Sequence, residues 1–201
     1  MPRVTIPLVN GEKYHVFNRG VDKRTVFASK SDYLRFYQSM EVFNSIEPSC
    51  DYSRSVNKIR IDEDRLVQLH AYSLLPNHFH LILEQLVDDG ISNFMKRLSG
   101  GYTSYFNETN KRSGSLFQGR FKRVHIDSDE YLNYIFAYVN ENHFVHKLKR
   151  NSDIYLSSSN HYQGKTSSKL LPNISTEYNF EHAQRLALGI SIKRDEEEYE
   201  L

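Results

Sequence analysis

The segment LLPNHFHLILE, residues 74–84, decides the predicted fold. The Pro-Asn pair at 76–77 is typical of a tight turn, so the apolar residues on either side predict two strands joined as a hairpin. Because side chains alternate along a strand, His78 and His80 are expected on one face and Phe79 on the other. Two such imidazoles bind a divalent cation when a third ligand joins them. Without that ligand they are ordinary strand histidines, and the pair alone leaves both interpretations open.

Length and composition indicate one soluble globular domain. The chain has 201 residues, of which 39% are hydrophobic and 25% charged. No apolar run approaches the roughly 20 residues that a membrane helix needs, and no secretory signal is evident at the N-terminus, so no membrane partner is expected. The single cysteine, Cys50, excludes an internal disulfide and favours a cytoplasmic protein. A net charge of +1 gives no global argument for nucleic acid, so that case rests on local clusters.

Hydrophobic periodicity and turn chemistry predict seven elements. In chain order they are a strand over 13–18, a helix over 32–46 capped at Ser31-Asp32, a strand over 65–75, a strand from His78, a helix over 91–109 with Gly100-Gly101 as a weak point, a strand over 120–126, and a helix from a Ser128 cap to about Asn142. The first six match an α+β, ferredoxin-like βαββαβ unit, which is a four-stranded antiparallel sheet with two helices on one face. The seventh, an added C-terminal helix, is free to pack elsewhere.

The chain changes character after about residue 146. Residues 1–146 are therefore predicted to form one domain, and residues 147–201 an irregular C-terminal extension. Within the extension, serines at 157–159 and 167–168 indicate irregular structure, and a short helix is predicted over 180–188. The final RDEEEYEL is an acidic tail, which is typical of a solvated segment.

Five segments of the chain match, in order and spacing, a pattern that is specific to one family. They are YHVFNRG (14–20), LHAYSLLPNHFHLILE (69–84), MKRLSGGYTSYFN (95–107), GSLFQGRFK (114–122) and DSDEYLNYIFAYVNEN (127–142). Over roughly residues 13–146 the chain resembles the single-tyrosine HUH transposases of bacterial insertion sequences and the REP-associated tyrosine transposases. The resemblance implies a DNA transposase that cleaves and rejoins single-stranded DNA through a 5′-phosphotyrosine intermediate, with Mg²⁺ or Mn²⁺ as cofactor.

The resemblance also implies an active site. It assigns the metal to His78 and His80, places the catalytic nucleophile at Tyr138 on the added helix, and gives Asn142 the role of third metal ligand. An i, i+4 spacing puts Tyr138 and Asn142 on one helix face. The family usually has a proline after this Asn, where this chain has His143. The alternative for Tyr138 is a half-buried helix aromatic, like its neighbours at 131 and 134.

A basic segment is the predicted DNA-binding surface. It consists of Gln118, Arg120, Lys122 and Arg123, with Arg120 and Lys122 expected on one strand face and Arg123 on the other. Phosphate contacts and aromatic stacking suit single-stranded or hairpin DNA. The alternative is an exposed strand with ordinary surface charges. Arg19, after the first strand, is a weaker candidate for DNA binding, because a turn residue needs no ligand.

Two other function classes remain open at this point. One is a non-mobile, domesticated DNA-binding or DNA-nicking relative of the same fold; an intact His pair and Tyr138 argue against it. The other is an unrelated Zn²⁺-binding protein, which the single cysteine disfavours. The resemblance is also compatible with two assemblies, a homodimer in which the Tyr helix is exchanged between subunits and a monomer.

Overall fold

The structure is a computed structural model, and it describes residues 7–47, 52, 65–146, 148, 155–172 and 182–189. Residues 1–6 of the N-terminal arm, most of the predicted loop over 48–64, Cys50 and the acidic tail lie outside these ranges. The helix predicted over 180–188 is observed over 182–189. None of the described helices is long and apolar enough to cross a membrane.

The described elements follow the predicted order. They are β1 (Lys13–Arg19), α1 (Lys30–Val42), β2 (Val67–Leu75), β3 (His78–Gln85), α2 (Gly90–Thr109), β4 (Lys122–His125), α3 (Asp129–Asn140), α4 (Asn142–Val145), β5 (Leu156–Ser157) and α5 (Ser159–Tyr162). The strands pair in the order β4-β1-β3-β2-β5, and every pair is antiparallel. The α+β, ferredoxin-like fold with an added helix is therefore confirmed. The sheet has one strand more than predicted, because β5 comes from the stretch that was expected to be irregular.

The predicted bounds of the first helix were wrong at both ends. Its N-cap is Ser29, whose hydroxyl accepts a hydrogen bond from the backbone N–H of Asp32, and the Asp32 carboxylate accepts one from the Ser29 N–H (2.8 Å). Asp32 is thus the reciprocal partner in a capping box rather than the cap itself. The helix ends at Val42, and the Asn44 amide then bonds both backbone groups of Val67 at the start of β2. These two bonds attach Asn44, two residues beyond the end of the helix, to β2.

One face of the sheet is buried beneath α1 and α2. Phe79, Leu81 and Leu83 of β3 point to this side and belong to the main core cluster. The two helices approach closely at Gly101, where an added Cβ would lie 2.6 Å from Cε2 of Phe43. The helix continues unbroken through this position. The predicted weak point is therefore a place where a glycine permits close helix packing.

The opposite face is covered in part by α3. Its apolar side, Ile135 and Val139, packs on Ala71 of β2 and Ile82 of β3. Ser128 caps this helix as predicted, accepting a hydrogen bond from the Tyr131 N–H. Because α3 lies over β2 and β3, it leaves the β1 side of this face uncovered.

Residues 155–172 tie the end of α3 to the sheet. Ser158 Oγ accepts a hydrogen bond from the Tyr72 N–H (3.0 Å) and donates one to Asn140 Oδ1 (2.6 Å). Ser159 Oγ donates to Glu141 Oε1 (2.6 Å), and Leu170 is buried in the main core cluster. The division of the chain at residue 146 stays a prediction. The described part of the extension nevertheless packs against the sheet and contributes to the core.

Candidate active site

An open cavity of about 490 Å³ lies on the uncovered part of the α3 face. Six of the nine predicted site residues line it: Arg19, His78, His80, Gln118, Lys122 and Tyr138. The other three, Asn142, Arg120 and Arg123, are not among the lining residues. The other six lining residues had no predicted site role: Phe17, Asn18, Lys23, Asn77, Phe79 and His146.

Strand register assembles the floor of the cavity. On β1, Phe17 pairs with His80 of β3 and with Lys122 of β4, so these three side chains form a row across three strands. In the next row Arg19 pairs with His78. Residues that are directly opposite in antiparallel strands project to the same face. Two imidazoles, an aromatic ring and two cations therefore meet on one surface.

The two histidines of β3 are held by different neighbours. Their ring centroids are 5.1 Å apart and the rings are nearly perpendicular, at 86°. The His78 Nδ1 donates to Asn77 Oδ1 (2.6 Å), and the His80 Nδ1 is hydrogen-bonded to Nε2 of His15 (2.8 Å). Such outer bonds orient a ligating histidine and select the nitrogen that faces a metal. In both rings that nitrogen is Nε2.

His15 is a site residue to which the sequence analysis gave no role. Its side chain is buried, and its ring centroid is 4.9 Å from that of Phe17 and 5.1 Å from that of His80. Burial lowers the pKa of His15 to about 4, so the ring is neutral at physiological pH. The alternation of His15, Phe17 and Arg19 along β1 was a usable signal, since it places all three on one face.

Tyr138 is the tyrosine of α3 that reaches the cavity. Its ring centroid is 5.4 Å from that of His80, at 90°. Its rival Tyr134, one turn earlier, is 41% exposed and does not line the cavity. Partial burial raises the pKa of Tyr134, which disfavours its ionised, nucleophilic form. Within one chain, the geometry therefore pairs Tyr138 with the histidines.

The structure does not bring Asn142 into this group. The helix of Tyr138 ends at Asn140, and Asn142 begins a separate short helix, so the expected continuous helix face is interrupted at Glu141. The Asn142 side chain is fully buried, and among the described residues neither its Oδ1 nor its Nδ2 has a hydrogen-bond partner. Its role as a metal ligand stays a proposal.

Packing against C-terminal residues explains the burial of α4. The ring of His143, at the position where the family usually has proline, stacks on Tyr155 at 4.3 Å. Val145 packs against Ala187. One residue beyond this helix, His146 lines the cavity, and its ring centroid is 4.7 Å from that of His78.

The donor set fits a divalent cation incompletely. In the part of the chain that the structure describes, no group of three or more His, Cys, Asp or Glu side chains is placed to hold a metal ion. His78 and His80 supply two imidazole donors on one strand face, and their orientation is fixed by Asn77 and His15. A cation such as Mg²⁺ commonly takes its remaining ligands from water and substrate phosphate. The two imidazoles therefore fit a divalent cation as a partial ligand set, to which further ligands would have to be added.

The loop before β4 is docked onto the end of β1. Arg19 Nε donates to Gln118 Oε1 (2.7 Å), and the Gln118 N–H donates to the Arg19 carbonyl (2.8 Å). The next residue, Gly119, has φ +68, a backbone conformation that side chains rarely adopt. Its carbonyl accepts a hydrogen bond from Asn18 Nδ2 (3.2 Å). These bonds set two predicted DNA-binding residues, Arg19 and Gln118, at the cavity.

The rest of the basic segment lines a second cavity of about 710 Å³. Arg120, Arg123 and Lys96 of α2 border it, on the side of the sheet that α2 covers. The expectation that Arg120 and Lys122 share a strand face was wrong, because β4 begins only at Lys122 and the two residues line different cavities. The basic segment is thus divided between two surfaces.

Comparisons with known proteins bear on this arrangement. A family profile described as "Transposase IS200 like" matches residues 9–142. A solved structure of a REP-associated tyrosine transposase bound to a REP hairpin is similar, with 14% sequence identity, a TM-score of 0.56, and coverage of 88% of this chain and 100% of that chain. A putative transposase from Deinococcus radiodurans has 16% identity and a TM-score of 0.39, covering 71% of this chain and 95% of that chain. A comparison with curated proteins gives no significant match. At this identity, the first structure is evidence for the fold.

Proposed function

Because the chain belongs to the IS200-like transposase family, we propose that it cleaves and rejoins single-stranded DNA through a covalent bond to Tyr138. The observation that carries this proposal is the placement of the Tyr138 ring 5.4 Å from that of His80, in a cavity that Arg19 and Lys122 also line. A tyrosine hydroxyl, two imidazoles and two cationic side chains line one cavity. This combination suits attack on a phosphodiester.

The nucleophilic step conserves the number of phosphorus–oxygen bonds. The Tyr138 oxygen forms a bond to phosphorus as the bond from phosphorus to the 3′ oxygen breaks. The phenol loses its proton, and the departing 3′ oxygen gains one. The products are a 5′-phosphotyrosine and a free 3′-OH, and the reverse reaction with another 3′-OH rejoins the strand.

His78 and His80 are the proposed holders of a divalent metal, Mg²⁺ or Mn²⁺. When bound, such a cation supplies charge neutralisation at the scissile phosphate. The residues of the chain position this donor pair, since Asn77 and His15 fix the two rings. Asn142 remains the proposed third donor.

Metal affinity tests whether Asn142 or His146 is the third metal donor. The Asn142 amide is buried with both polar atoms unpaired among the described residues. Leaving a buried polar group unpaired costs about 1–3 kcal/mol, so recruitment to a metal would recover part of that energy. Titration of Mn²⁺ into Asn142→Ala should then show weakened binding. If His146→Ala weakens binding and Asn142→Ala does not, the third donor is the histidine beside His78.

The proposed substrate is single-stranded or hairpin DNA. Lys122, Arg19 and Phe17 line the cavity, which supports phosphate contacts by the two cations and base stacking on the ring. The similar solved structure is described as bound to a REP hairpin, which supports hairpin-containing strands as the first substrates to test. Arg120 and Arg123 are proposed to bind a second stretch of the same DNA.

We propose that the nucleophile and the metal-donor histidines of one site come from the same chain. Tyr138 lies against His80 of its own chain, and Ser158 ties Asn140 at the end of the same helix to the sheet. The alternative is a homodimer with exchanged Tyr helices. Mixing His80→Ala with Tyr138→Phe distinguishes the two, because only exchanged helices would rebuild one intact site from the two inactive chains. We expect no recovery of activity.

Covalent trapping tests the proposed function directly. A 3′-labelled single strand containing a hairpin is incubated with protein and Mn²⁺, and label that migrates with denatured protein is measured. The 3′ label is required because a 5′-phosphotyrosine retains the strand downstream of the cut. We expect an adduct with the wild-type protein and none with Tyr138→Phe, which removes only the hydroxyl.

Tyr134→Phe is the matched control for this experiment. It makes the same chemical change one helical turn earlier, at a residue outside the cavity, and should leave the adduct intact. If Tyr134→Phe removes the adduct and Tyr138→Phe does not, the nucleophile is on the other turn. If the wild-type protein binds DNA without forming any adduct, a DNA-binding relative of the same fold is the better description.

A further inference from the structure

We propose that His15 is a positioning residue, which fixes the tautomer of His80 by accepting a hydrogen bond from its Nδ1–H. The proposal rests on the proposed function in one respect, namely that His80 is a metal donor. The chemistry that His15 would serve is recognition of a divalent cation by a neutral imidazole. Nothing in the His78-Phe79-His80 motif itself provides this function, because His15 lies on a different strand.

The two rings are placed for an in-plane hydrogen bond. His15 Nε2 and His80 Nδ1 are 2.8 Å apart, and the ring planes differ by only 16°. The centroids are nevertheless 5.1 Å apart, so the rings meet edge to edge rather than face to face. Two nitrogens at this distance share one proton. Either His80 donates to His15 or His15 donates to His80.

The direction of that bond decides whether His80 is able to bind a metal. A neutral imidazole has one N–H and one nitrogen with a lone pair. If His80 Nδ1 donates, its Nε2 carries the lone pair and is able to coordinate. If His80 Nδ1 accepts, its Nε2 is protonated and cannot. Metal coordination through Nε2 therefore requires His15 to act as the acceptor.

The two metal-donor histidines differ in this respect. His78 Nδ1 bonds to the side-chain oxygen of Asn77 (2.6 Å), and an amide oxygen is an acceptor only. The partner of His80 is itself a histidine, which is able to accept or donate. The tautomer of His78 is thus fixed by its partner, whereas that of His80 depends on the state of His15.

Packing holds His15 in place for this function. Its side chain is 6% exposed. Its ring stacks on Phe17 with centroids 4.9 Å apart, and the centroid of the Tyr138 ring is 6.3 Å away at an interplanar angle of 76°. The ring consequently has little room to rotate away from His80. The same contacts place His15 beside both the proposed metal donor and the proposed nucleophile.

The first test measures the tautomer of His80 in the metal-free protein. Long-range ¹H–¹⁵N NMR distinguishes a protonated ring nitrogen from one with a lone pair. In the full-length wild-type protein we expect His80 to be protonated at Nδ1 and not at Nε2. Protonation at Nε2 would overturn the proposal, and this measurement requires neither DNA nor metal.

Two substitutions at position 15 sharpen the test. His15→Leu removes the acceptor, so His80 should shift towards the Nε2–H tautomer and Mn²⁺ affinity, measured by calorimetry with the metal alone, should fall about 10- to 100-fold. His15→Gln supplies an amide oxygen and should restore the tautomer and most of the affinity. A merely structural role would not predict rescue that follows the acceptor.

His125→Leu is the control for loss of a strand histidine. His125 lies on β4 and bonds Glu12 (2.8 Å) rather than a residue of the cavity, so Mn²⁺ affinity should not change. Unchanged tautomer and affinity in folded His15→Leu would contradict the proposal. If His15→Leu does not fold, the tautomer of His80 in the wild-type protein decides whether the proposal is correct.

Failure of the wild-type protein to bind Mn²⁺ would refute the metal site. The tautomer of His80 would still test whether His15 accepts its hydrogen bond.

Discussion

The two faces of the sheet differ sharply although the same strands build both. On β3, Phe79 and Leu81 point towards α1 and α2 and are fully buried. His78 and His80 alternate with them and point to the opposite face, where they line an open cavity. Because strand side chains have a period of two, one strand supplies both stability and the candidate chemistry. Neighbouring substitutions should therefore have different consequences.

The difference arises from how completely each face is covered. Two long helices close the first face, and aromatic pairs such as Phe36–Phe79 (5.1 Å) and Phe79–Phe117 (5.5 Å) fill it. In the part of the chain that the structure describes, the second face is covered by α3, whose apolar cluster includes Ala71, Ile82 and Ile126. Beyond that cluster the sheet presents polar groups held by hydrogen bonds. A partly covered face thus combines a rigid floor with access for a ligand.

The largest effect is expected for a substitution on the face that carries the cavity. His78→Ala should abolish formation of the covalent adduct, since one of the two proposed metal donors is lost. The unfolding free energy should change by only about 1 kcal/mol or less, because no core packing is removed. Adduct formation and urea denaturation measure the two effects. Full cleavage by this variant with Mg²⁺ would exclude a metal role for His78.

The adjacent residue should show the opposite pattern. Phe79→Ala removes a fully buried ring and should lower the unfolding free energy by about 3–5 kcal/mol. Under conditions in which the variant remains folded, Mn²⁺ should still bind, because the histidines lie on the other face. Loss of metal binding in the folded variant would mean that the two faces are coupled.

Two adjacent glycines of α2 test how closely α1 and α2 pack on the face that they cover. At Gly101 an added Cβ would lie 2.6 Å from Phe43, whereas at Gly100 it would meet nothing within 4 Å. Gly101→Ala should therefore destabilise by about 1–3 kcal/mol, and Gly100→Ala should stabilise by up to about 1 kcal/mol through helix propensity. Thermal denaturation of both variants checks this. Equal effects would show that α1 and α2 are not closely packed at this point.

The smallest effects are expected on DNA binding, for the two neighbouring basic residues that line different cavities. Lys122→Ala and Arg123→Ala should each weaken binding of single-stranded DNA a few-fold and reduce the log–log salt slope by about 0.7 per lost phosphate contact. Only Lys122→Ala should also slow cleavage of bound DNA, because Lys122 alone of the two lines the cavity with Tyr138. Equal slowing in both variants would mean that the DNA does not distinguish the two cavities.

Local sequence features predicted much of the fold and the centre of the candidate site. The Pro-Asn turn, the alternation of His78 and His80, and the Ser128 cap all act within two or three residues, and the structure contains each of them. Capping signals were less reliable when two candidates were close, as at Ser29 and Asp32. Short-range rules locate an element well, and its exact end less well.

Tertiary structure alone decided the surroundings of the histidines. His15 and His80 are 65 residues apart in sequence and meet only through the register of β1 with β3. The interruption of the helix at Glu141, which separates Asn142 from Tyr138, accompanies packing of α4 against residues far along the chain. Register and helix docking depend on many long-range contacts at once, so no local pattern encodes them. The sequence by itself determined which residue types carry the chemistry, and the tertiary structure decided which of them meet.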